Sequence, residues 1–202
     1  MEKVDMWKTT MYGSQLTMCE FLITLNRSVK PIVGLIRGKA VGIGFTLTSL
    51  FDFIYCTPET EFSTPFMASA QSPEGSSTMT FPMQFGIRRA NEILLLDKPI
   101  TAQEAKLSGY VNDIIEDLNS DYFPDLDKIP AVKKLVATDY RTLVNCKQLI
   151  NKAKDNDKIE AVIHDEARKL VASWLDDEFP PKLMMYMQSL REKREGKKRA
   201  KL

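Results

Sequence analysis

Glu74 is the residue of this chain best suited to move a proton. It is the only carboxylate between Phe62 and Asn91, in a run of small residues flanked by large apolar side chains. A carboxyl group in apolar surroundings holds its proton more tightly than one in water. Glu74 is therefore a candidate general acid or base.

A glycine turn upstream of Glu74 is the second candidate feature. Gly42 and Gly44 follow a β-type run that begins at Pro31, and an apolar helical stretch at 45–51 comes next. Backbone N–H groups at the start of such a helix point outward and can hold a developing oxyanion without any particular side chain. Together the two features suggest a base that faces an oxyanion site.

Both features also have ordinary structural explanations, and the residues alone leave these open. Ser72 and Pro73 are typical of a helix start, with Ser as N-cap and Pro at the first helical position, which places Glu74 in the first turn. A carboxylate there complements the helix dipole by ~0.3 to 1 kcal/mol, and this role is the commoner one. Glycines likewise make tight turns between strands and helices.

Other chemistries find little support in the sequence. The segment 34–39 has three residues between its glycines and no Ser or Thr after the lysine, so it is not a phosphate-binding P-loop. Leu47 occupies the third glycine position of a dinucleotide motif that would start at Gly42. The single histidine, His164, and three cysteines without CxxC spacing argue against a metal site and a Ser-His-Asp triad.

Composition predicts a globular protein of a reducing compartment. The 202 residues include 28 basic and 27 acidic side chains, so no overall charge attracts nucleic acid or membranes. The longest apolar stretch, 40–51, falls short of the ~18 to 20 residues that span a bilayer. The N-terminus lacks the apolar segment of a secretory signal.

Periodicity predicts the elements that position these residues. A helix at 14–29 is stopped by Pro31, and a strand, a glycine turn, a helix and a second strand follow, the order expected of a layered α/β core. The remaining expectations are strands at 62–66 and 110–115, a helix at 89–96, and a helix at 101–108 that opens with a Thr101/Glu104 capping box.

The chain divides into four expected parts. Residues 1–13 are expected to form a loose arm, 14–118 the α/β core, 119–195 a helical region and 196–202 a basic tail. The polar, proline-containing stretch 119–127 is the best internal boundary. A methionine-rich face within 182–194 is expected in the core or at a subunit contact rather than at a cofactor.

Several motifs together resemble the crotonase (enoyl-CoA hydratase/isomerase) superfamily. They keep the family's order and spacing from about Phe21 to the C-terminal helices, and they are KPIVGLIRGKAVGIG (30–44), LFD (50–52), Phe62, TAQEA (101–105) and GYV (109–111). The resemblance implies an α/β, crotonase-like (ClpP/crotonase) spiral core. It also implies C-terminal helices that support a homotrimer.

The resemblance assigns the chemistry to one glutamate. Hydratases of this family carry catalytic glutamates at positions that correspond here to Thr46 and Phe66, so hydration is not expected. The segment QSPEGSS (71–77) is similar to the peroxisomal Δ3,Δ2-enoyl-CoA isomerase branch. By that similarity Glu74 is the single acid/base, and the N–H of Ile43 is an oxyanion donor.

The same resemblance implies which residues meet the substrate. An acyl-CoA thioester, with no other cofactor and no metal, would bind at a set of small and apolar residues: Gly42, Gly44, Thr46, Phe66, Met67 and Phe81. An apolar wall made by Phe66, Met67 and Phe81 would keep water from the intermediate.

One part of the family pattern is not found. Family members begin with further strands and a Ser-Gly-x-Asp segment that supplies a second oxyanion N–H, and nothing before Ser14 resembles it. The expectation is an N-terminally truncated core. The alternative function is therefore a catalytically inactive acyl-CoA-binding or oligomer-interaction protein derived from such an enzyme.

The last three residues, Ala200, Lys201 and Leu202, resemble the peroxisomal address Ser-Lys-Leu. This predicts a peroxisomal location, with an import receptor as partner and with mitochondrion or cytoplasm as alternatives. A basic end of this kind is also compatible with a frayed, solvated tail, or with contacts to nucleic acid or nuclear import factors.

Overall fold

In the computed structural model, residues 6–116 and 125–199 are described. Their elements, in chain order, are α1 (Met6–Asn26), β1 (Val33–Ile36), β2 (Lys39–Val41), α2 (Ile43–Thr46), β3 (Phe53–Cys56), β4 (Glu61–Ser63), α3 (Ser77–Phe85), α4 (Ile87–Leu95), β5 (Ile100–Thr101), α5 (Ala102–Leu107), β6 (Asp113–Ile114), α6 (Pro130–Val136), α7 (Tyr140–Ala153), α8 (Asn156–Trp174) and α9 (Phe179–Arg199). Short 3-10 helices follow α2 (Leu47–Leu50) and precede α6 (Leu126–Lys128).

The strands form two sheets of three through a repeated strand-strand-helix unit. The first sheet has the order β1-β3-β6 with all strands parallel. In the second sheet, of order β2-β4-β5, β2 and β4 are parallel and β5 is antiparallel. Val33 lies opposite Phe53 in one sheet and Lys39 opposite Glu61 in the other, so each turn of the chain stacks on the next. The expected α/β spiral core is confirmed.

An aromatic cluster fills the core beside these sheets. Phe45 lies 4.7 Å from Phe81 and 5.1 Å from Phe62 between ring centroids, and Tyr110 packs edge-on against all three. The Tyr110 hydroxyl shares a 2.6 Å hydrogen bond with Thr48 and donates to the Phe45 carbonyl. The polar end of the ring is thus satisfied inside the core, as burial requires.

The N-terminal helix is longer than the sequence suggested. α1 begins at Met6, so the expected loose arm is wrong for residues 6–13, while residues 1–5 lie outside the described part. The segment around Cys19 and Leu22 is packed against other helices. Once such a helix is nucleated, each added residue gains a backbone hydrogen bond at little cost, so the helix extends into solvent.

Two strands are shorter than expected, and two, β2 and the two-residue β5, were missed. The strand expected at 62–66 ends at Ser63, since Pro65 has no N–H to pair, and that expected at 110–115 is reduced to Asp113–Ile114. β2 was missed because it has three residues, bounded by Gly38 and Gly42 with positive φ. The Thr101/Glu104 capping box is confirmed.

The C-terminal helices pack onto the core through α8. The buried apolar residues of α8 are Ile159, Ile163, Leu170 and Val171. Arg27, just after α1, donates to both oxygens of Glu160 at 2.5 and 2.7 Å, and Asn26, the last residue of α1, donates to Asn156. These contacts hold α8 in a defined position against α1.

Helix α9 carries the methionines that were expected in the core or at a subunit contact. Met184, Met185 and Met187 are exposed in the single chain, so a core position is excluded and a subunit contact stays a prediction. Every helix within the described residues is too short or too polar to cross a membrane.

Candidate functional site

Two segments distant in sequence meet where the glycine turn leads into α2. An oxygen of the Glu74 carboxyl group lies 3.8 Å from the position that a Cβ on Gly42 would occupy. A Cβ on Gly75 would stand 2.3 Å from the Thr46 hydroxyl oxygen and 3.3 Å from the Ile43 side chain. The structure therefore brings Glu74, Gly42, Ile43 and Thr46 together, as the proposed site requires.

The turn at Gly42 directs a backbone N–H toward Glu74. Gly42 has a φ of 57°, and its carbonyl accepts from the N–H groups of Phe45 and Thr46, which closes the first turn of α2. The N–H of Ile43 precedes that turn and has no helical acceptor. It lies close enough to the Glu74 carboxyl group to favour the charged form of that group.

The surroundings of Glu74 raise its pKa to about 7. Burial is the largest cause, because it disfavours the charged form, and the nearby carboxylate of Glu166 is the second. The backbone N–H of Ile43 acts in the opposite direction and lowers the pKa. A pKa near neutrality means that the group can both take up and release a proton at physiological pH.

Glu74 does not lie in a helix. The helix start expected at Ser72 and Pro73 is wrong, since α3 begins at Ser77 after Ser76 in the left-handed conformation with a φ of 62°. The reason is a long-range contact. Glu166 of α8 accepts from the N–H of Ser76 at 2.7 Å, and from the N–H and hydroxyl of Thr78 at 2.8 and 2.6 Å.

Glu166, not Glu74, is therefore the carboxylate at the start of a helix. Sequence reasoning missed it because it follows His164 and Asp165, in a run of polar residues that carries no recognised motif. A signal was present. Glu166 lies three residues after Ile163 and four before Leu170, a spacing that puts it on the buried face of α8.

Other predicted site residues lie elsewhere in the structure. Phe66 and Phe81 are buried in the aromatic core, where Phe81 packs against Phe45. Met67 is 45% exposed, and its N–H donates to Asp97. The expected wall of these three residues thus has two members in the core and one at the surface.

Ile43 and Thr46 instead cover the Glu74–Gly75 segment. Thr46 is fully buried, and its hydroxyl oxygen has no hydrogen-bond partner among the described residues. Gly44 has open space where a Cβ would stand. No group of three or more His, Cys, Asp or Glu side chains that could hold a metal ion is found in the described ranges.

The sequence profile of the family described as enoyl-CoA hydratase/isomerase matches residues 8–197. The chain belongs to the enoyl-CoA hydratase/isomerase family. Within that family, enoyl-CoA delta isomerase 2 of Rattus norvegicus is 34% identical over 173 residues, which are 85% of this chain and 43% of that protein. The peroxisomal enoyl-CoA delta isomerase 3 of Mus musculus is 41% identical over 85 residues, which are 42% of this chain and 27% of that protein.

Solved structures of the family share the fold. An enoyl-CoA hydratase of Mycobacterium avium subsp. paratuberculosis has a TM-score of 0.76 at 18% identity, over 87% of this chain and 69% of that one. An enoyl-CoA hydratase/isomerase of Pseudoalteromonas atlantica has a TM-score of 0.75 at 22% identity, over 84% of this chain and 66% of that one. The chain spans about two fifths of the length of the first curated relatives it matches.

Proposed function

We propose that this member of the enoyl-CoA hydratase/isomerase family converts 3-enoyl-CoA to 2-trans-enoyl-CoA, a step of fatty acid β-oxidation, with Glu74 as the single acid/base. One observation carries the proposal. The carboxyl group of Glu74 has a pKa of about 7 and lies beside the outward-pointing N–H of Ile43. A base and an oxyanion donor in contact are what a proton shift next to a thioester needs.

The reaction follows from these two groups. The thioester acidifies the protons at C2 of the substrate, and the Glu74 carboxylate removes one of them. The C2–H electrons move toward the thioester oxygen, and the dienolate oxygen accepts from the Ile43 N–H. When the thioester carbonyl reforms, the double bond shifts to C2–C3 and Glu74 returns its proton to C4.

Hydration of a 2-enoyl-CoA is disfavoured by the residues at the two other positions. Thr46 is neutral and buried, and Phe66 is packed in the aromatic core. Neither can activate water as a glutamate does. The delta isomerase names of the relatives from rat and mouse agree with this choice.

An assay of the purified chain with a 3-enoyl-CoA and, separately, a 2-enoyl-CoA tests the proposal. We expect the first to be isomerised and the second to be hydrated slowly or not at all. Formation of 3-hydroxyacyl-CoA at a rate that rivals isomerisation would contradict the isomerase assignment. Acyl-CoA binding without turnover would favour the inactive binding protein instead.

The proposal extends to assembly and location. A homotrimer is supported by the exposed methionine face of α9, and peroxisomal import by the tripeptide Ala200-Lys201-Leu202, which lies outside the described residues. A peroxisomal name among the relatives agrees with this location. Import is tested by comparing an N-terminally tagged chain with one lacking the tripeptide. Equal peroxisomal accumulation of both would show that the tail is not the address.

A further inference from the structure

Glu166 is a buried carboxylate that no sequence motif assigns to the site. We propose that Glu166 is a positioning residue: from helix α8 it holds the 74–78 segment in place, and its negative charge makes Glu74 a stronger base. This inference rests on the proposed role of Glu74 as the acid/base.

The contacts of Glu166 fall on the segment that carries Glu74. Its side chain is 6% exposed, and its two oxygens accept three hydrogen bonds from Ser76 and Thr78, two and four residues after Glu74. The two N–H groups belong to Ser76, the residue just before α3, and to Thr78 in its first turn, where the helix has no acceptors of its own. Glu166 thereby fixes the point at which the Glu74 loop ends.

The position of Glu166 is itself rigid. α8 is tied to α1 by the Arg27–Glu160 ion pair and the Asn26–Asn156 hydrogen bond. Ile163, one turn before Glu166, is buried in the apolar cluster between these helices. A carboxylate held from a packed helix can constrain a loop more tightly than one on the loop itself.

Helix capping alone does not explain why a carboxylate, rather than a neutral polar side chain, is buried at position 166. A neutral Ser, Thr or Asn side chain caps a helix start well, whereas burying a carboxylate without a cation is costly. In the part of the chain that the structure describes, Glu166 has no ion-pair partner, and its donors are all neutral. Its charge therefore remains uncompensated and acts on its surroundings.

Glu74 is the group on which this charge acts. Burial raises the pKa of Glu166 and of Glu74, but three donors favour the charged form of Glu166 and only the Ile43 N–H favours that of Glu74. The first proton taken up by the pair therefore goes to Glu74. The Cys19 thiol of α1 also faces this charge: burial raises the pKa of the thiol most, and Glu20 and then Glu166 raise it further.

The test compares Glu166→Gln with Asp165→Asn, a matched change at an exposed neighbour on the same helix. We expect Glu166→Gln to move the midpoint of the kcat/KM pH profile to lower pH and to slow isomerisation on the order of tenfold to a hundredfold through misplacement of Glu74. Asp165→Asn should match the wild type. A rate loss with an unchanged midpoint would overturn the inference.

A second readout does not depend on turnover. Titration of the Glu74 carboxyl carbon by NMR, with Glu74→Gln to assign the signal, should show a lower pKa in Glu166→Gln than in the wild type. If the wild type fails to isomerise, the proposed function falls, while this titration still decides the role of Glu166. An unchanged Glu74 titration would overturn that role.

Glu166→Asp covers the case in which Glu166→Gln does not fold. It keeps the charge but shortens the side chain by one methylene. We expect the Glu74 midpoint to stay near the wild-type value and amide hydrogen exchange at Ser76 and Thr78 to be faster than in Asp165→Asn. Exchange rates equal to those of Asp165→Asn would show that Glu166 does not hold the segment.

Discussion

Two carboxylates near the core, Asp52 and Glu74, are treated in opposite ways by their surroundings. Asp52 is 13% exposed, forms an ion pair with Lys147, which is 5% exposed, and accepts from the N–H of Ile32 at 2.8 Å. The Glu74 carboxyl group lies near the Ile43 N–H, and the charged group that raises its pKa is another carboxylate, Glu166. Asp52 keeps a compensated charge that joins α7 to the start of β3, whereas Glu74 is left with a labile proton.

The contrast shows that one chain can use one carboxylate to stabilise its fold and leave another able to take up a proton. A carboxylate that is paired with a buried cation and accepts a hydrogen bond stabilises the fold while both partners are present. A buried carboxyl group next to a like charge is costly to ionise, and that cost brings its pKa toward neutrality. Variants that alter one side of this contrast at a time can test it.

The largest effect is expected from Glu74→Gln. Removing the proton-transfer group should lower isomerisation by ~10² to 10⁴-fold, which is the usual contribution of a general acid/base. The fold should be kept, because Gln has the same shape. Steady-state kinetics with a 3-enoyl-CoA and circular dichroism measure both quantities. Retention of more than about a tenth of the wild-type turnover would exclude Glu74 as the base.

Lys147→Met removes the cation that pairs with Asp52. It leaves Asp52 buried without its cation, and we expect a loss of ~3 to 5 kcal/mol in the free energy of unfolding, measured in urea. The matched control is Lys39→Met, which removes the exposed Lys39–Glu61 pair and should cost less than ~1 kcal/mol. Equal losses in the two variants would mean that the Asp52 pair is no more important than a surface pair.

The ionisation of Glu74 should also make the stability of the fold depend on pH. The pKa of Glu74 is about 7 in the folded chain, against 4.5 for a glutamate side chain in water, so the unfolded chain releases this proton more readily. The protonated Glu74 side chain stabilises the folded chain fully below about pH 4.5. This stabilisation, on the order of 3 kcal/mol, is lost as the pH rises through 7. The pH dependence of catalysis should be opposite. We expect kcat/KM to rise over the same pH range, because the Glu74 carboxylate that acts as the base forms there.

Urea unfolding of the wild type and Glu74→Gln at pH 5 and pH 8 measures this effect. The variant lacks the titrating group, so its stability relative to the wild type should be greater at pH 8 than at pH 5. A difference that stays constant between the two pH values would show that Glu74 titrates alike in the folded and unfolded chains.

Gly75→Ala tests the packing of the Glu74 segment on α2. Gly75 has a φ of 72°, and the added Cβ would meet Thr46. The conformation alone costs ~1 to 2 kcal/mol in thermal or urea unfolding. Gly44→Ala is the control: its φ is not positive and a Cβ there meets open space, so its stability should be unchanged or slightly higher.

Local features of the sequence were enough for most of the core. The alternation and glycine signals around 31–57 predicted β1, the turn and β3, and the Thr101/Glu104 box predicted the start of α5. These features depend on backbone conformation and on contacts between residues close in sequence. The isolation of Glu74 was likewise visible without a structure, and so were Gly42 and Ile43 as its partners.

Long-range contacts decided the rest. The start of α3 moved from Ser72 to Ser77 because a carboxylate 90 residues away supplies acceptors to Ser76 and Thr78. Lys147 and Asp52 are 95 residues apart, and no local pattern pairs them. The sequence by itself therefore predicted most of the elements and, through the family resemblance, marked Glu74 as the expected acid/base. Only the tertiary structure decided the pKa and the position of Glu74, because its burial and its proximity to Glu166 arise only when α8 packs against the core.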